Sequence, residues 1–412
     1  MPPVRDPVTR SLLSNEARLL FATVVGTAGE ETLVRASQAR VDWPRFVRMA
    51  DVEKASPVAW RRFYTTAGVF VPEPLATHLR RMAQVSDFNM LFLEQRLNDT
   101  VDVLTRADIP VMLLKGAALA VSVYPDFPSR PMGDLDVLVP GEHAARAQAL
   151  LEAAGWVAAH DPALVAFYDE HHHLEPLADA RGTAATLEVH RSLFHVGHPF
   201  RYPIEDVWAR AERVTRGKRT YLVPSALDHL LHLCLHFAWS HLVRTGAWRA
   251  FRDVNALVAR GLDWDAFERL ARATLATTSA YWTLRLARGV AGVPVPDATL
   301  AALRPPKSER TLQRLERHFT YGMVPLDRVY PSRHLGNAMW EAAIMPEWSG
   351  HGGSRPWDRT EDLLRSQISA MESQSLVQRS LVRLNGWVRY TRAMVLPARG
   401  PKGPRPGHSI GA

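Results

Sequence analysis

Asp134 and Asp136 stand two residues apart, flanked by Leu135 and the run Val137-Leu138-Val139. The apolar neighbours mark a buried strand, and side chains two apart on a strand leave the same face, so both carboxylates converge on one patch. Like charges that close raise each other's pKa unless a cation lies between them, which calls for a divalent metal or a shared proton. An oxygen-only ligand set favours Mg2+ or Mn2+. Two exposed acids on a strand edge is the bland alternative, and the apolar flanks oppose it, because a half-buried charge needs a partner.

Upstream, the strand-like run 111–114 meets Lys115-Gly116, and residues 117–123 suit a short helix. Backbone N–H groups at a helix start, with a lysine beside them, can hold a phosphate. Alone, the pair means no more than a tight turn with a solvated lysine. The chain is sparing with lysine, however: it has only Lys54, Lys115, Lys218, Lys307 and Lys402 among 50 basic residues. Arg130 either neutralises a triphosphate or pairs with Asp126.

A further acid comes from a predicted hairpin, strands 171–177 and 184–190 joined by Ala178-Asp179-Ala180-Arg181-Gly182. In its second strand Thr186, Glu188 and His190 share one face, and Leu187 and Val189 the other. Glu188 is then the natural third carboxylate to orient or deprotonate an attacking hydroxyl, with His190 a supporting donor. An ion pair to a scattered arginine is the alternative. His171-His172-His173 looks like a metal tract. His229, His232 and His236, one to two turns apart on one helix face, suit packing better than metal binding.

The elements that must position these groups follow from periodicity. Residues 1–108 form a helical region broken at Pro44, Pro57, Pro72 and Pro74, with Ser14 as an N-cap and an amphipathic helix over 91–104. Residues 109–215 form a small mixed-sheet core, including a helix over 142–154 closed by Gly155. Residues 216–396 return to helices, expected at 226–241, 247–259, 264–276, 279–289 and 361–395, with Trp239 and Trp248 in the core. Residues 397–412 form a disordered basic tail. The class is therefore α+β.

Composition excludes more than it suggests. Cys234 is the only cysteine, which rules out an intrachain disulfide and a thiolate zinc site. No apolar run approaches the roughly 20 residues of a membrane helix, so no membrane partner is expected and the setting reads as cytoplasmic. The charge of +8 suits a polyanionic partner, but arginine is spread along the whole chain, which makes nucleic acid a weak inference.

The segment LLKGAALAVSVYPDFPSRPMGDLDVLV, then Leu187 to His190, His232 to His236, and Asp253 in FRDVNALV, together resemble the uncharacterised bacterial nucleotidyltransferases of the DNA polymerase β superfamily, from about Val41 to Leu257. The resemblance implies Asp134 and Asp136 as ligands of Mg2+ (or Mn2+) at the sheet edge and Glu188 as the third acid. It also implies phosphate binding by Lys115, Gly116 and Arg130. The reaction implied moves a nucleoside monophosphate from a nucleoside triphosphate such as ATP to an acceptor hydroxyl on a small molecule, RNA or protein, releasing pyrophosphate. Superfamily members usually carry Gly-Gly or Gly-Ser where this chain has Gly116-Ala117, so Lys115 or Arg130 must replace a serine hydroxyl. That departure also admits a catalytically inactive nucleotide-binding regulator. An Asp-x-Asp glycosyltransferase fits less well, because helices precede the motif where a nucleotide-binding βαβ unit belongs.

Overall fold

The structure, a computed structural model, describes residues 12–159, 165–324 and 333–346, together with 356, 390–391 and 394. Most of the expected helix 361–395 and all of the tail lie outside these residues. The chain is mostly helical, with a seven-stranded mixed sheet in the middle and helices on both sides.

The N-terminal helices are Asn15–Val25, Glu30–Gln38, Trp43–Val52, Ser56–Tyr64 and Leu75–Arg106. Their boundaries follow local chemistry. The Ser14 hydroxyl accepts from the Ala17 N–H at 3.2 Å, Gly26 closes the first helix at φ +82°, and Pro44 and Pro57 occupy first-turn positions where no N–H is required. The helix expected over 91–104 is 32 residues long, starting directly after Pro74.

The strands are β1 (Met112–Leu113), β2 (Asp134–Leu138), β3 (Trp156–Ala158), β4 (Leu177–Asp179), β5 (Thr186–His190), β6 (Glu212–Arg216) and β7 (Arg219–Val223), in the order β3-β4-β5-β2-β1-β7-β6. The strand bearing the two aspartates is thus fourth of seven, which corrects the expectation of a sheet-edge site. β2 runs parallel to β5 and antiparallel to β1, and Asp136 pairs in register with Glu188.

Strand alternation sorts the side chains between two cores. Leu135, Val137, Leu187 and Val189 enter a core with helices Leu75–Arg106 and Ala144–Ala153, while Leu138 faces a second, largely helical core. Asp134 and Asp136 share the Leu138 face. That second core joins the N-terminal helices to Ala226–Leu235, Ala247–Val258 and Thr277–Ala291. Phe21 meets Phe251 at 6.1 Å between ring centres, and the Asn255 amide donates to the Val25 carbonyl at 3.2 Å.

Three expectations need correction. The first hairpin strand is Leu177–Asp179, not 171–177; residues 171–175 pair with β5 in backbone register only at one isolated bridge, His173 to His190, and the three imidazoles pack against one another in that bend. The helix predicted over 226–241 ends its α-helical part at Leu235 and continues as a π turn, His236–Ser240. The β6–β7 hairpin lengthens the sheet on both sides of position 216, turning at Gly217 with φ +60°. Its signal was legible: Arg216-Gly217-Lys218-Arg219 followed by Thr-Tyr-Leu-Val.

Candidate active site

Directly after β1, the Leu114 N–H donates to the Asp136 carbonyl at 2.9 Å, and the helix Lys115–Ser122 begins at once. Lys115 has φ +45°, a left-handed conformation uncommon for a non-glycine residue. That conformation comes with an ammonium turned onto the acids. Lys115 Nζ lies 2.7 Å from Asp136 Oδ1 and 3.6 Å from Glu188 Oε2. From the other side His190 Nε2 donates to Asp136 Oδ1 at 2.9 Å and lies 3.4 Å from Glu188 Oε2. His190 is wholly buried and Asp136 is 2% exposed.

These contacts set the charge states. Burial alone would raise the Asp136 carboxyl, but Lys115 and the His190 hydrogen bond outweigh it and hold it well below the usual range. Glu188 behaves alike: burial opposes ionisation, and His190 and Lys115 prevail. Lys115 resists the lowering effect of burial because Asp136 and Glu188 stabilise its charge. Asp134, at the solvent-facing start of β2, is pushed up by desolvation and then by the charge of Asp136.

Gly116 follows a close approach. A Cβ there would sit 2.9 Å from Arg130 Nη1 and 3.0 Å from Met132 Sδ. Arg130 does not pair with Asp126, whose carboxylate instead accepts from the Ser129 N–H at 2.6 Å. Its partner is Asp253 on helix Ala247–Val258, through Nη2 to Oδ2 at 2.7 Å and Nε to Oδ1 at 3.2 Å, and Tyr124 donates to the same Oδ1 at 2.7 Å. Ala117 is fully buried in the sheet core, so that position faces away from the site.

Lys115, Gly116, Arg130, Asp134 and Asp136 line one cavity of about 150 Å³. Glu188 and His190 stand beside Asp136 and outside the lining. His229, His232 and His236 are turned toward the cavity, a placement that the packing expectation missed; they are also buried, which pushes His229 down to about 4 and the other two well below their ordinary value. Arg249 was missed altogether. It lines the cavity, its Nε has no hydrogen-bond partner, and burial, then the neighbouring charge of Arg130, lowers its pKa. Its one legible signal was the four-residue spacing from Asp253, which places both on one helix face.

Among the described residues, Asp136, Glu188 and His190 bring ligand atoms within 4.8 Å of one another. Two cross-strand carboxylates already draw in a lysine cation, and Asp134 adds a third acid on the same face. The donor set fits a hard divalent cation, with His190 better suited to orienting Asp136 than to ligation, since its Nε2 is committed to that carboxylate. No helix of the described residues is long and apolar enough to cross a membrane.

No curated protein and no solved structure matches the chain. A family profile does match, over residues 39–292, a span that holds every side chain of the acidic cluster and the cavity wall, and the chain therefore belongs to the uncharacterised nucleotidyltransferase family.

Proposed function

We propose that the protein transfers a nucleoside monophosphate from a nucleoside triphosphate to an acceptor hydroxyl. The observation that carries this reading is the pairing of Asp136 with Glu188 across β2 and β5, beside a cavity walled by Lys115, Arg130 and Arg249. Mg2+ or Mn2+ held by Asp134, Asp136 and Glu188 would supply charge neutralisation at the phosphates. The remaining work falls to the chain. His190 holds Asp136 in one orientation and Asp253 holds Arg130. Lys115, Arg130 and Arg249 stabilise charge on the departing pyrophosphate. Glu188 steers the acceptor hydroxyl and takes its proton as the new oxygen–phosphorus bond forms and the bond to pyrophosphate breaks.

The test is release of pyrophosphate from each nucleoside triphosphate with Mg2+ or Mn2+ and a panel of hydroxylated acceptors. Turnover that is metal-dependent in the native chain and absent in Asp136→Asn supports the assignment; equal turnover in both sinks it. A second reading, a nucleotide-binding regulator without turnover, draws on the Lys115 ammonium, which already compensates Asp136 and Glu188. Metal-dependent nucleotide binding with no pyrophosphate from any acceptor favours that rival.

A further inference from the structure

Next to β5 lies a second group of ligand atoms that the transfer reaction does not use. His171, His172 and His173 present one nitrogen each within 4.8 Å of one another. Their ring centres are 4.0, 4.2 and 4.8 Å apart. The backbone that carries them is clamped. Arg191 donates from its side chain to the carbonyls of Tyr168 and His171 at 2.7 and 3.0 Å, and from its N–H to the carbonyl of His172 at 2.9 Å. Leu174 N–H donates to the Val189 carbonyl at 3.0 Å, closing the bend against β5.

The protonation pattern shows what the bend lacks. His173 Nδ1 donates to the Leu174 carbonyl at 2.6 Å, which leaves Nε2 of the neutral ring with its lone pair. That nitrogen faces Glu188 Oε2 at 3.7 Å. A backbone carbonyl fixing one imidazole nitrogen while the other turns to a shared point is the usual supporting arrangement of a metal-bound histidine. His171 Nδ1 and His172 Nδ1 are buried and have no hydrogen-bond partner. Ligands bound at about 2.0–2.1 Å in a tetrahedron lie roughly 3.4 Å apart, close to the spacing between His173 and Glu188.

We propose that His171, His172 and His173 form a site for a borderline divalent cation of the Zn2+ class, open on the side that faces Glu188. Three imidazoles select such an ion over Mg2+, so the site is distinct from the carboxylate cluster in ligand type and in metal. It does not depend on the transferase reading. It puts a positive charge next to Glu188.

The experiment uses the full chain stripped with chelator and titrated with Co2+ in excess Mg2+, following the visible absorption of nitrogen-ligated, low-coordinate cobalt, with Zn2+ as competitor. The expected result is one Co2+ per chain, displaced by Zn2+. Affinity should fall at least about tenfold in His171→Ala/His172→Ala and in the milder His173→Gln, and hold in Asp136→Asn. Circular dichroism confirms that each variant is folded. No absorption from the native chain overturns the proposal whatever the variants do. So does unchanged affinity in the histidine variants, or loss in Asp136→Asn alone, which would place the ion on the acids. Loss of pyrophosphate release in Asp136→Asn with cobalt still bound leaves this site standing and tests only the transfer reaction.

Discussion

The two walls of the cavity treat charge in opposite ways. On the strand side Asp136, which lines the cavity, and Glu188 just behind it are compensated by Lys115 and His190 within 2.7–3.6 Å. On the helix side Asp253 is fully engaged with Arg130 and Tyr124, and Arg249, one turn earlier, has no carboxylate partner among the described residues. A compensated cluster holds its geometry by itself. A half-buried guanidinium whose Nε reaches no hydrogen-bond partner, with carboxylates only at a distance, costs folding energy that an anionic ligand can return, so the helix wall is where phosphate binding should be felt most.

Breaking the strand wall should do the most harm. Asp136→Ala leaves Lys115 buried beside half of its counter-charge; urea unfolding should show a loss of about 3–5 kcal/mol, and pyrophosphate release should fall by roughly a thousandfold or more. Next comes the compensated half of the helix wall. Asp253→Ala strips Arg130 and Tyr124 of their acceptor and should cost about 2–4 kcal/mol by the same measurement. Arg249→Met sharpens the contrast, because nucleotide affinity measured by calorimetry should drop about tenfold to a hundredfold while the unliganded chain keeps or gains stability. A drop in stability instead would erase the distinction between the walls. Gly116→Ala pushes a methyl into Arg130 and Met132 and should cost about 1–3 kcal/mol, read as a lowered melting temperature.

The broadest effect is acid sensitivity. Burial lowers His229 and His241 to about 4 and His171 to about 3, below the 6.5 of an exposed imidazole. The unfolded chain therefore binds more protons than the folded one below pH 6.5, and stability should decline as pH falls from there toward 4. Urea midpoints that stay flat across that interval would mean the imidazoles are already protonated in the folded chain.

Much of the strand wall was legible because it is local. Alternation along 134–138 and 186–190 fixed which side chains share a face, and the structure places Asp134, Asp136, Glu188 and His190 accordingly. Segment 171–177 misled because strand-like composition does not report that three adjacent imidazoles crowd a bend. Arg249 stayed hidden because its significance lies in what fails to reach it, and nothing within its own helix reveals that Asp253 is already taken by Arg130, 123 residues upstream.

By itself the sequence determined helix ends, strand faces and the acids that share them, since caps, prolines and two-residue alternation act over a few residues. Only the tertiary structure decided that β2 is central, that Lys115 is the counter-ion of Asp136, and that the N-terminal and C-terminal helices share one core. Those outcomes depend on which distant surfaces bury each other and which buried charges find a partner, and neither is written in the spacing of neighbouring residues.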